Sequence, residues 1–292
     1  MAVTAGAALE PRRRSVQCAS PRGLHRMAYL EWGDARNRDV LVCVHGLTRT
    51  GRDFDELARA VCGQFRVVCP DVAGRGDSDP LPDSALYAVP QYVADMVTLI
   101  ARLDVEAVSW LGTSMGGLIG MALAAQAGSP VKRLVLNDVG PLVTLASLER
   151  LASYVGKAPS FASVEEAERY IRAVSAPFGP HSDTQWRFLT ETWLRRNDDG
   201  TWRAHYDPRI AEPFKADKDL ELWPLYDAVR CPTLLLRGEL SDLLTRETAA
   251  EMTLRGPRAK VVEIRGVGHA PTLLHPDQIA IVRQFLLEGM SS

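Results

Sequence analysis

The sequence predicts an α/β fold: a mostly parallel sheet covered by helices on both faces. Short apolar runs at 40–44, 65–69, 108–111, 134–136, 233–236 and 261–264 alternate with segments of helical spacing. Each run is apolar without interruption, as a strand buried on both faces must be. The alternation stops from about 141 to 226 and then resumes, so an insertion divides the fold.

Element by element, residues 15–34 carry Arg22-Gly23 between two β-forming runs and predict an opening hairpin. Residues 53–61 have helical spacing that stops before Gly63, and Pro90 opens a helix ending near Arg102. Small residues from Gly116 to about 127 predict a helix directly after the 108–111 strand, and a last helical pattern follows Pro276. The resulting layout is a disordered tail over 1–14, a core of 15–140 and 227–292, and an insertion over 141–226. The insertion holds twelve of the chain's twenty Phe, Trp and Tyr residues, so it offers an apolar surface to the core or to a ligand. Asp199-Gly200, between Trp193 and Trp202, predicts a hairpin turn inside it.

Composition narrows the function. The 292 residues are 46% hydrophobic and 24% charged with a net charge of -2, leaving no basic excess for a nucleic-acid backbone. No apolar run reaches the roughly 18 residues that span a bilayer. The five cysteines are odd in number, and Cys43, Cys69 and Cys231 sit in or beside apolar runs. They read as small buried hydrophobes in a reducing, cytoplasmic setting. Arg12 to Arg14 follow the Ala-rich start, the reverse of a signal peptide's order. Neither a Cys or His pair at ligand spacing nor a glycine-rich phosphate loop is present, so neither a metal nor a cofactor is expected.

The chemistry centres on Gly112-Thr113-Ser114-Met115-Gly116, where a strand passes through a sharp turn into a helix. Such a turn lifts the serine Oγ clear of the sheet, and small flanking residues let strand and helix approach. A serine hydroxyl needs a base, and the base needs an acid to fix its tautomer. His269, in the loop Gly266 to Pro271 after the last apolar run, is the candidate base. Asp242, in the loop Gly238 to Asp242 after the preceding run, is the candidate acid, with Asp138 its competitor one strand earlier. The backbone N–H groups of Leu47 and Met115 are assigned to an oxyanion hole. His45 reads as a structural member of the first of those loops, and His181, His205 and His275 as non-catalytic.

With His45-Gly46, the Asp71 to Ser78 loop, the Ser114 elbow and Gly268-His269 in view, the chain from about 16 to 288 resembles the lidded α/β-hydrolases. The resemblance implies an eight-stranded sheet, a mainly helical lid over 141–226, and a pocket under Phe178, Trp186, Trp193, Tyr206 and Phe214. It implies Arg75 and Ser78 as structural supports of the oxyanion loop. The expected reaction is hydrolysis of a small ester through an acyl-enzyme. Relatives extend the choice to enol-lactones and to carbon–carbon bond hydrolysis, and a non-catalytic small-molecule receptor is the reading from another class. Thr113, where many carbon–carbon hydrolases carry asparagine, weighs against the second of these. The expected partner is a small ester or lactone, without nucleic acid or membrane insertion; a homodimer is compatible with such a lid.

Overall fold

The computed structural model describes residues 10–157, 159–213 and 217–288. Strands β1 (Arg12–Ser20) and β2 (Gly23–Trp32) form the expected hairpin, turning just before Gly23 at φ 122°. The first strand begins at Arg12, inside the stretch expected to be a disordered tail. Charge pairing explains the early start: Arg12 meets Glu31 on β2 at 3.0 Å and Arg13 meets Asp77 at 2.6 Å.

Six further strands complete the sheet: β3 (Val40–Val44), β4 (Arg66–Pro70), β5 (Val108–Thr113), β6 (Val131–Asn137), β7 (Thr233–Gly238) and β8 (Lys260–Ile264). Their order is β1-β2-β4-β3-β5-β6-β7-β8, antiparallel in its first two pairings and parallel in the rest. Alternate residues of these strands feed two apolar layers. Val40, Val42 and Val44 face one layer with α2 (Val89–Arg102) and α3 (Met115–Ala124). Leu41 and Cys43 face the other, with α1 (Asp55–Val61) and the C-terminal helix Pro276–Leu287. A residue alternation that buries both faces is what continuous apolar strands require.

The register places the site. Val44 lies beside Gly112, Thr113 beside Asn137, and Asn137 beside Leu236, so the carboxyl ends of β3, β5, β6 and β7 form one level edge. The chain leaves β3 for β4 on one side and returns to β5 on the other. That reversal opens a crevice at the carboxyl edge, where parallel sheets bind ligands.

Between β6 and β7 the chain builds α4 (Leu145–Tyr154), α5 (Val164–Val174) and α6 (Asp183–Glu191). Ser163 and Ser182 cap the latter two with side-chain oxygens, Ser182 within a full capping box. The segment is less purely helical than expected. The short strands Ser160–Phe161, Trp202–Ala204 and Leu194–Arg196 make a small antiparallel sheet, the last two joined through Gly200 at φ 86°. Phe161, Tyr170 and Trp193 pack on one another, with centroids 5.4 to 6.2 Å apart. No described helix is long and apolar enough to cross a membrane.

Candidate active site

Ser114 occupies the turn between β5 and α3 at φ 52° and ψ −116°, a conformation that L-residues other than glycine rarely adopt. Its N–H donates to Asn137 O at 3.0 Å, and its carbonyl accepts from Gly117 N at 2.8 Å, so β6 and α3 hold the strained residue from both sides. Two glycines make the turn sterically feasible. A Cβ on Gly112 would stand 2.1 Å from Gly116 O, and one on Gly116 would stand 2.0 Å from Val44 O.

His269 comes to Ser114 on the loop that follows β8. Its Nε2 lies 3.0 Å from Ser114 Oγ, and its Nδ1–H donates to Asp138 Oδ2 at 2.7 Å. A carboxylate can only accept, so this contact fixes the tautomer that leaves Nε2 free to take the serine proton. Gly268 N donates to Pro177 O at 2.6 Å and ties the loop to the inserted segment.

The acid beside His269 is therefore Asp138, not the expected Asp242. Asp138 follows β6 at the level edge, wholly buried. Its Oδ1 accepts from Gly238 N at 2.8 Å and its Oδ2 from Ser241 Oγ at 2.7 Å. The β7 loop thus supplies donors to Asp138 and turns Asp242 outward. Asp242 pairs with Arg150 at 2.7 Å, its side chain 56% exposed. Buried Arg237 imposes this course by donating to Leu244 O at 2.9 Å and Ser241 O at 3.4 Å while pairing with Glu263 at 2.6 Å. Ser241 was missed as a site residue. Its signal in the sequence was a hydroxyl three residues beyond a strand-end glycine, opposite Asp138 on the neighbouring strand.

His45 is buried and bridges its own loop, donating from Nδ1 to Gly46 O at 2.7 Å and accepting at Nε2 from Val72 N at 3.0 Å. Burial pushes its pKa down to about 3, so it is a neutral strut. Leu47, two residues on, is steered by Arg75, whose Nε donates to Leu47 O at 2.9 Å. Arg75 is 1% exposed, also donates to Ala73 O and Tyr92 Oη at 2.8 Å each, and lies over the Tyr92 ring. Its Nη2 approaches Met115 Sδ at 3.7 Å, so one guanidinium braces both segments assigned to the oxyanion hole. Neither Leu47 N nor Met115 N has a backbone acceptor among the described residues, and Met115 opens α3, where unpaired N–H groups favour negative charge. Ser78 Oγ donates to Asp71 O at 2.6 Å and accepts from Ala28 N at 2.8 Å, bracing the 71–78 loop that carries Arg75.

These groups open into a cavity of about 140 Å³. The core contributes Gly46, Leu47, Ser114 and His269; the inserted segment contributes Leu151, Tyr154, Tyr170, Ile171, Phe178, Trp193 and Tyr206. Phe178, Trp193 and Tyr206 stand where the sequence placed them. Trp186 does not line the cavity: it is buried between Arg172, 5.8 Å from its ring, and His181, 5.0 Å away. Phe214 lies outside the described residues. Tyr154, Tyr170 and Ile171 were not anticipated, because helical spacing alone does not say which face of α4 or α5 meets the core.

One grouping of metal-type ligands exists among the described residues, Cys18, His25 and Asp95, buried beneath the first hairpin. His25 Nε2 donates to Asp95 Oδ2 at 3.0 Å, Gln91 donates to Asp95 Oδ1 at 2.8 Å, and burial raises the Cys18 thiol to about 12. The carboxylate is satisfied internally, and the cluster does not line the Ser114 cavity.

The fold and this constellation define a hydrolase scaffold, and comparison with known proteins agrees. The chain belongs to the α/β hydrolase fold family, whose model matches residues 39–276. It is 55% identical over 285 residues to a 3-hydroxybutyrate-oligomer hydrolase of Cupriavidus necator, covering 94% of this chain and 97% of that protein. It is 28% identical to an N-formylmaleamate deformylase of Pseudomonas putida, covering 84% and 86% respectively. An α/β hydrolase structure from Novosphingobium aromaticivorans superposes with a TM-score of 0.87 at 37% identity, covering 96% of this chain and 99% of that one.

Proposed function

We propose that the protein hydrolyses carboxylic esters of short hydroxy acids, linear 3-hydroxybutyrate oligomers among them. The observation that carries this reading is the hydrogen-bonded chain from Ser114 through His269 to Asp138, opening into an apolar and aromatic cavity. Ser114 Oγ attacks the ester carbonyl as His269 Nε2 takes its proton, and Asp138 stabilises the imidazolium. The N–H groups of Leu47 and Met115 receive the oxyanion. His269 returns the proton to the departing alcohol, and water then releases the acid by the same steps in reverse. Residues 141–226 act as a lid that shields the acyl-enzyme, with Phe178, Trp193 and Tyr206 against the substrate. The substrate class is supported by the 55% identity to a 3-hydroxybutyrate-oligomer hydrolase.

The test is hydrolysis of 3-hydroxybutyrate dimer and trimer, with nitrophenyl esters from acetate to dodecanoate, by the protein and by Ser114→Ala. We expect monomer release and an optimum at short acyl length, both reduced by about a thousandfold or more in Ser114→Ala. Cleavage of a dienone acid without turnover of any ester would move the protein to carbon–carbon hydrolysis. Binding without any turnover would make it a receptor.

A further inference from the structure

Among the described residues the cavity wall carries one lysine that no carboxylate pairs with. Arg49 is paired with Asp53 at 2.6 Å and Arg150 with Asp242 at 2.7 Å. Lys157 also lines the cavity, exposed at its edge, and among the described residues no carboxylate pairs with it. It is delivered by a defined turn. Gly156 sits at φ 82°, where a Cβ would stand 2.6 Å from Ala211 Cβ and 3.1 Å from Pro208 O, so the backbone there is packed against the 208–211 segment. Lys157 N closes the turn by donating to Tyr154 O at 3.3 Å. Ser114 and this cation line the same cavity, whose wall also has uncharged residues, Leu151, Tyr154 and Ile171 among them.

A neutral ester has no use for such a cation, whereas a linear hydroxy-acid oligomer always ends in one free carboxylate. In that oligomer the carboxylate belongs to the alcohol half of each ester, the half that departs when serine is acylated. We propose that Lys157 binds the terminal carboxylate of the substrate, so that the protein recognises acidic chain ends and aligns the departing half of the ester over Ser114. This inference rests on the ester-hydrolase reading above and adds the ionic subsite. The ammonium holds the carboxylate as a point charge, a contact that operates in ground state and transition state alike; its loss therefore appears in KM and leaves kcat in place.

The experiment compares kcat and KM for 3-hydroxybutyrate trimer and for the same trimer capped as a neutral carboxamide, in the protein, Lys157→Ala and Lys157→Glu. Nitrophenyl butyrate serves as the neutral control. Lys157→Ala is expected to raise KM for the free acid by about three- to tenfold, with kcat within about twofold and the carboxamide unaffected. Lys157→Glu should invert the preference, and added salt should erode it in the unsubstituted protein. Equal effects on both trimers, or a preference for the free acid that survives Lys157→Glu, would overturn the proposal. If nitrophenyl butyrate is turned over through Ser114 and neither trimer is, the chain-end subsite falls and the serine mechanism stands; if none of the three is turned over, both fall.

Discussion

Asp138→Asn is expected to lower kcat by about three to four orders of magnitude, while Asp242→Asn leaves it within about twofold. The reason is the donor count around Asp138. Gly238 N–H, Ser241 O–H and His269 Nδ1–H all point at its two oxygens. An amide offers one oxygen and one NH₂. With the NH₂ toward Gly238, two donors face each other inside a buried site. With the NH₂ toward His269, Nδ1 must accept, the ring proton moves to Nε2, and the base for Ser114 is lost. Asp242 has no such demand on it, because its half-exposed pair with Arg150 supports neither Ser114 nor His269. Steady-state kinetics of both variants, with thermal melts to confirm folding, decide the matter; a dead Asp242→Asn beside an active Asp138→Asn would reverse the assignment.

Gly116→Ala should destabilise the protein by about 2–3 kcal/mol or more and depress activity in whatever folds. Propensity alone argues the other way, since alanine in a helix is favoured over glycine by about 1 kcal/mol. Sterics win because the atoms a Cβ would strike are backbone: Val44 O at 2.0 Å and His45 O at 3.0 Å. No rotamer change relieves that contact, so α3 must move off β3. The shift would separate Met115 N from Leu47 N and misalign the oxyanion donors. Gly63→Ala is the control, since a Cβ there meets nothing within 4 Å. A urea midpoint unchanged in Gly116→Ala would contradict the close-approach account.

The sheet, the elbow and His269 were legible because each is written locally. Uninterrupted apolar runs specify strands buried on both faces, and Gly112 and Gly116 around Ser114 mark the one backbone geometry that needs them. Asp138 was harder to read, since two acids followed neighbouring strands on the same edge and in the same chain order. What separates them is the direction of the β7 loop, set by Arg237 and by the hydroxyl of Ser241. The Arg237 contact is local, but the one that selects Asp138 joins Ser241 to a residue 103 positions earlier in the chain. Trp186 misled for a related reason. Aromatics in an insertion are evident in sequence, but Arg172 and His181 decide that this ring packs inward while Trp193 reaches the cavity. The early start of β1 rests likewise on a partner, Glu31, nineteen residues away.

Covalent acylation of Ser114 can be weighed by intact-mass measurement. The protein is mixed with nitrophenyl butyrate, stopped with acid within seconds, weighed, and digested to locate any adduct. One butyryl group is expected on the peptide containing Ser114, absent from Ser114→Ala and accumulating far more slowly in His269→Ala. Full turnover in Ser114→Ala, or an adduct on another residue, would contradict it.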